Sequence, residues 1–321
     1  MPNKLKAVVI GIGNMGKNHV RTYFEMEGID LVAIADLDEK LGKEMSEQYR
    51  TEYFNDYKEM LNKHTPDIVS ICIPTAYHFK FAKECIEAGF NILLEKPITM
   101  DVEEAKELLK LVKKHNVKML VGHIERFNPA IKKVKEMIDK GELGEITSIM
   151  ARRVGGFPPQ IKDANIAVDL AIHDIDIVNY LLDDLPKEVS VAKRKSHIKH
   201  REDSVEIFLK YKSASAYVQA NWITPVKIRK LNITGTEGYL EMDYINQKIE
   251  FYKSNYDKLF QEIGDYSDYI LRFSDPDQID INVAKKEPLR EEILYLMNCI
   301  IKNQEIDCSY AVEALKIAKN K

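Results

Sequence analysis

Long apolar runs are missing from this 321-residue chain. Its longest purely apolar stretches are about five residues, against the roughly 20 that span a bilayer, so no membrane segment is expected. An excess of one charge is missing too. Lys and Arg number 47 against 51 Asp and Glu, for a net charge of −4. That balance disfavours a nucleic-acid partner, whose phosphates call for a basic surface. Cysteine is scarce: Cys72, Cys85, Cys299 and Cys308 form no Cys-x-x-Cys pair and have no histidine at ligand spacing. No metal and no disulfide framework is therefore expected, only reduced and mostly buried thiols. Repeats and low-complexity tracts are absent, and the start Met1-Pro2-Asn3-Lys4-Leu5-Lys6 leaves no room for a secretory leader, which implies a cytoplasmic protein. What is present is a 45% hydrophobic fraction and a length that suits two domains at roughly 100–200 residues each.

Residues 1–122 alternate between short β-branched runs and amphipathic stretches. Strands are expected at Leu5–Ile10, Leu31–Ala35, near Tyr53, Ile68–Ile73, Asn91–Leu94 and Val117–Val121, with helices between them, the last opened by Asp101-x-x-Glu104. Such alternation means βαβ units and a parallel sheet. From residue 123 to 321 the pattern becomes α+β. An amphipathic helix covers 129–140, an apolar helical run covers 166–182, and strands follow in close succession between 188 and 252, a spacing that suits a mostly antiparallel open sheet. Ser254 to Asp280 reads as an excursion from that sheet, and two helices close the chain. The fold class is α/β, an N-terminal Rossmann domain followed by an α+β domain.

Within the first strand–helix turn lies Gly11-Ile12-Gly13-Asn14-Met15-Gly16. Gly11 permits the tight turn, Gly13 lets a pyrophosphate approach the backbone, and Gly16 lets helix and sheet pack closely, while the helix N-terminus attracts phosphate. Asp36 ends the second strand, placed to accept from the adenosine ribose hydroxyls. No arginine follows it to hold a 2'-phosphate, so NAD is favoured over NADP. Ligands of such sheets sit beyond the carboxyl ends of the strands. Two more strand ends therefore matter, Pro74-Thr75-Ala76-Tyr77-His78 and Glu95-Lys96-Pro97.

Together these motifs, followed by an α+β domain, resemble the glucose-fructose oxidoreductase and inositol dehydrogenase (Gfo/Idh/MocA) family. The resemblance implies cofactor contacts from Pro74, Thr75, His78, Glu95 and Lys96. It also implies a Lys96 that touches both substrate and nicotinamide and works with an Asp-x-x-x-His pair, here Asp169 and His173. Thr75 departs from the asparagine of many relatives.

At roughly 100 degrees per residue, Asp169, His173, Asp176 and Tyr180 share one helix face in an otherwise apolar segment. His173 suits the general base of alcohol oxidation, Lys96 the charge beside the developing alkoxide, and Asp169 the group that orients the imidazole. Arg152 and Arg153 are candidates for a substrate anion, whereas His123 reads as structural at the domain junction. The wording around these segments is similar to relatives that act on nucleotide-linked amino sugars, the UDP-N-acetylglucosamine 3-dehydrogenases. The alternatives are a free polyol or sugar, an NAD-dependent glycosidase cycle, and a non-catalytic dinucleotide-binding regulator. Alternation of Val218, Ala220 and Trp222 with Tyr217, Gln219 and Asn221 loads both sheet faces, which implies a homodimer or homotetramer.

Overall fold

The computed structural model describes residues 4–157, 165–254 and 277–320. The chain divides into two compact units, Met1–Ile124 with Glu287–Lys316, and Glu125–Lys286 with Ile317–Lys321.

Six parallel strands form the first unit's sheet: β1 (Leu5–Ile10), β2 (Ile29–Ala35), β3 (Glu52–Phe54), β4 (Ile68–Ile71), β5 (Asn91–Glu95) and β6 (Met119–Gly122), in the order β3-β2-β1-β4-β5-β6. The order reverses between β1 and β4, which opens a crevice at their carboxyl ends. Central strands are buried on both faces, and so they read as continuous runs such as Ala7–Ile10 rather than as alternation. The connecting helices are α1 (Asn14–Glu25), α2 (Glu39–Tyr49), α3 (Tyr57–His64), α4 (His78–Glu87) and α5 (Val102–His115). Asp38, Asp56 and Asp101 cap α2, α3 and α5, each carboxylate accepting from a first-turn N–H.

The sequence pattern assigns everything after residue 122 to the second domain. Helix α8 (Pro288–Ile301) instead packs on α1, β5 and β6 of the first unit. Its apolar side, Leu289, Ile293, Leu296 and Met297, is buried there. Tyr310, at the start of α9 (Ser309–Ala318), donates to Val121 O and meets the His123 ring edge-on at 5.5 Å.

In the second unit, α6 (Pro129–Asp139) and α7 (Ile172–Leu182) accompany an eight-stranded sheet. Its strands are β7 (Ile146–Gly156), β8 (Glu188–Arg194), β9 (Ser204–Lys210), β10 (Ser215–Asn221), β11 (Ile223–Gly235), β12 (Gly238–Asp243), β13 (Lys248–Lys253) and β14 (Gln278–Ile281). The order is β14-β13-β12-β11-β7-β10-β9-β8, antiparallel except for the β7–β10 pair. Helix α7 packs on β7 and β10. Of the Ser254–Asp280 excursion, residues 255–276 lie outside the described residues, as do Pro158 and Pro159 of the glycine- and proline-rich loop. Among the described residues no helix is long and apolar enough to cross a membrane.

Candidate active site

Three glycines shape the cofactor loop, each for a different steric reason. Gly11 has φ +86, and a Cβ there would lie 2.7 Å from Cys72 O. A Cβ on Gly16 would lie 1.9 Å from Gly11 O, whereas one on Gly13 would meet nothing within 4 Å. The first and third glycines thus close the turn on itself, and the second faces open space. Gly13 also caps α1 without any side-chain hydrogen bond, which leaves the first-turn N–H groups aimed outward. That cradle fits a pyrophosphate. A cavity of about 710 Å³ extends from it, lined among others by Gly11, Gly13, Asp36, Cys72, Pro74 and Tyr77. At its rim Asp36 Oδ2 accepts from Ile12 N at 2.7 Å and Oδ1 from Asp38 N at 2.9 Å, so the carboxylate is fixed beside the loop. Asn14 is exposed and Met15 half-buried at the start of α1.

Beyond β5, Glu95 is buried and Lys96 half-buried. Glu95 Oε1 lies 2.9 Å from His19 Nε2, His19 Nδ1 lies 3.1 Å from Ser70 Oγ, and Tyr23 OH lies 2.7 Å from the same hydroxyl. Burial alone would push the Glu95 carboxyl up. The His19 hydrogen bond, followed by the electrostatic influence of His19, Lys96 and His78, outweighs it and holds Glu95 below the usual carboxylate range. Cys72, His19 and Glu95 bring potential ligand atoms within 4.8 Å of one another, yet both His19 nitrogens are already engaged by Ser70 and Glu95. Burial, followed by the charges of Glu95 and Glu292, pushes the Cys72 thiol well up, away from thiolate chemistry.

His78, expected at the cofactor, is 1% exposed, and its two ring nitrogens face Pro97 O and Ile73 O. The ring thus braces the two strand-end loops from inside. Thr75 lies in a single 3-10 turn, Thr75–Tyr77, after Pro74.

In the second unit the 166–182 segment is not one regular helix. Ala167–Ala171 forms a π-turn, which then passes into α7. Turns of that kind are rare and concentrate at functional sites. The wider turn breaks the 100-degree spacing between Asp169 and His173, both of which are half-buried. The rest of the expected polar stripe has another use. Asp176 holds Arg126 through two hydrogen bonds of 2.7 Å, and the Arg126 guanidinium lies 4.9 Å over the Tyr180 ring.

Arg152 and Arg153 cannot serve one substrate anion together, because adjacent strand residues point to opposite faces. Arg152 is exposed, whereas Arg153 is buried toward α7. Arg153 donates Nε and Nη2 to Asp174, at 2.8 and 3.0 Å, and Nη1 to Glu125 at 2.9 Å, under the Tyr244 ring. Burial opposes its charge, but Asp174 and Glu125 outweigh burial and raise its pKa further. Each guanidinium nitrogen thus donates to a carboxylate inside the unit.

Sequence reasoning passed over Arg229 on β11, which pairs with Arg153 across the β7–β11 ladder. Its Nη1 donates to Val154 O at 2.6 Å and Ile228 O at 2.9 Å, which fixes the group with Nε and Nη2 unused among the described residues. Burial and the Arg153 charge lower its pKa, and Asp169 is among the carboxylates acting on it. Also unforeseen were His19, three residues after the last loop glycine, and Glu292 on α8. No sequence signal marked Arg229 or Glu292, since an isolated charge on a strand or helix looks like surface.

Known proteins share this construction. Residues 5–123 match the profile described as an oxidoreductase family with an NAD-binding Rossmann fold, and residues 131–241 match the GFO/IDH/MocA C-terminal domain. The oxidoreductase YrbE of Bacillus subtilis is 32% identical over 187 residues, 57% of this chain and 55% of its own length, so that match spans about half of either protein. A UDP-N-acetylglucosamine 3-dehydrogenase of Acidithiobacillus ferrooxidans is 25% identical over 305 residues, 95% of this chain and 91% of that one. An inositol 2-dehydrogenase of Salmonella typhimurium is 26% identical over 192 residues, 58% of this chain and 57% of its own. The solved structure of the Acidithiobacillus enzyme superposes with a TM-score of 0.84 at 24% identity, covering 98% of this chain and 95% of that one, which establishes the common fold. With its glycine cradle, its Asp36 rim and both matched domains, the chain belongs to the GFO/IDH/MocA family of oxidoreductases, and NAD is the cofactor of its first unit.

Proposed function

We propose that the protein oxidises a secondary alcohol of a nucleotide-linked amino sugar, in the manner of a UDP-N-acetylglucosamine 3-dehydrogenase. The observation that carries this reading is the match over nearly the whole of both chains to such an enzyme. Lys96, Asp169 and His173 stand at the positions that the family resemblance implies for catalysis.

NAD, when bound, takes the hydride. The chain's own groups manage the proton and the charge. His173 accepts the hydroxyl proton on an imidazole nitrogen, since an imidazole titrates near the working pH. Asp169 sets the orientation of that ring. Lys96 stabilises the oxygen as it becomes an alkoxide. Asp36 and the Gly13 cradle hold the dinucleotide, and Arg229, with donors unused among the described residues, takes an anionic group of the substrate in place of Arg153.

A free polyol is the second reading. It is favoured by the internal pairing of Arg153 and by the partial matches to inositol dehydrogenases. NADH formation, followed by absorbance with UDP-N-acetylglucosamine, myo-inositol and free hexoses, separates the two. Turnover of myo-inositol with none of the nucleotide sugar refutes the first. Lys96→Ala and His173→Ala should each lower kcat by about two orders of magnitude or more and leave NAD affinity within a few-fold.

The open sheet also supports a homo-oligomer, a dimer or tetramer. Phe208, Tyr217 and Met150 are neighbours across β9, β10 and β7, and Phe208 and Met150 are each 47% exposed. Met150→Arg should shift the sedimentation species toward monomer.

A further inference from the structure

We propose that His78 is held as an imidazolium and that its two N–H groups position Lys96. His78 Nδ1 lies 2.8 Å from Pro97 O, and Nε2 lies 2.9 Å from Ile73 O. Carbonyl oxygens only accept, and a neutral imidazole carries one N–H, so a neutral ring would set a nitrogen lone pair against one of them. Turning the ring over puts carbon atoms at both carbonyls. At 1% exposure, solvent cannot repair the mismatch.

A buried cation needs a counter-charge. Glu95, one residue before Lys96, supplies it, its carboxyl held below the usual range chiefly by the His19 hydrogen bond. The other titratable groups nearby along the chain are Lys96, Cys72 at the end of β4, Tyr77 and Lys80 on the turn and helix of His78 itself, and Asp101 at the cap of α5.

The two carbonyls belong to different strand-end loops. Ile73 precedes Pro74, which lines the dinucleotide cavity, and Pro97 follows Lys96. His78 therefore ties the β4 loop to the β5 loop. Lys96 is bracketed by two histidines, His19 on Glu95 before it and His78 on Pro97 after it. His78 is a positioning residue that acts through Lys96. This consequence, unlike the protonation state, rests on the catalytic role proposed for Lys96.

The first test is NMR of wild-type protein carrying 15N-labelled histidine, with His78 assigned by through-bond correlation so that no variant is needed. The expected result at pH 7 is two protonated nitrogens with no tautomeric equilibrium. A neutral ring with one bare nitrogen overturns the proposal. The second test is His78→Gln, which keeps a single donor group. Turnover should fall about tenfold or more, with KM for NAD within a few-fold, because small misplacement of a catalytic group is costly. Wild-type kcat in this variant overturns the positioning role. Failure of the wild-type protein to oxidise any sugar would count against the proposed function, while the NMR spectrum would still decide the protonation state of His78.

Discussion

Replacing Glu292 by Gln should change the pH dependence of stability in a defined way. Glu292 lies on α8, is fully buried, and neither carboxyl oxygen has a hydrogen-bond partner among the described residues. Burial, followed by the charge of Glu95, holds its pKa well above the ordinary 4.5. As pH rises past 4.5, the unfolded chain releases a proton that the folded chain retains. The folded state then loses about 1.4 kcal/mol per pH unit until the raised folded value is reached. Between pH 5 and 7 the folded state therefore loses stability steadily for as long as the buried carboxyl stays protonated. Glutamine does not titrate. Any cost of burying its amide is the same at both pH values and drops out of the difference. Urea denaturation of the NAD-free protein at pH 5, 6 and 7 measures the effect, with wild type and Glu292→Gln compared at each pH. The variant's stability relative to wild type should improve as pH rises from 5 to 7, at a slope of up to about 1.4 kcal/mol per pH unit. Parallel pH profiles would mean that Glu292 is ionised in the fold, and the reasoning would fail.

Gly16→Ala places a Cβ 1.9 Å from Gly11 O, so titration calorimetry should show NAD affinity reduced at least a hundredfold while the rest of the unit stays folded. Arg153→Met strands the Asp174 carboxylate in the interior and should cost about 3–5 kcal/mol in chemical denaturation; a loss under about 1 kcal/mol would show that the pair is dispensable. Arg229→Gln removes a fixed guanidinium with unused donors. The KM for UDP-N-acetylglucosamine should rise about tenfold and that for myo-inositol should not change, as expected for one charge-assisted hydrogen bond.

The parts legible in the sequence are those set by local backbone chemistry. The β1 strand, the Gly11–Gly16 loop and Asp36 lie within one βαβ unit, and each glycine has a steric reason that neighbours in sequence already imply. The cap Asp101 is legible for the same reason. The opposite faces of Arg152 and Arg153 follow from strand alternation, yet their shared charge drew attention away from it. What stayed hidden depends on distant partners. Asp176 looked like part of a catalytic stripe because nothing local shows that Arg126, 50 residues away, will claim it. The π-turn at Ala167–Ala171 has no compositional mark, and a helical wheel assumes it away. His78 opens α4 next to the loop of Pro74 and Tyr77 that lines the cavity, but which way its ring points depends on Pro97, 19 residues on.

The return of Glu287–Lys316 to the first unit bears on how the chain comes off the ribosome. The six-stranded sheet is fully synthesised by Gly122, yet the helix that covers β5 and β6 is not finished until Ile301, about 180 residues later. At roughly 5–20 residues per second, the half-made NAD unit waits some 10–35 s with one face of β5 and β6 lacking its final cover. An isolated fragment ending at Ile124 would keep that open face permanently, and it would aggregate where the whole chain folds.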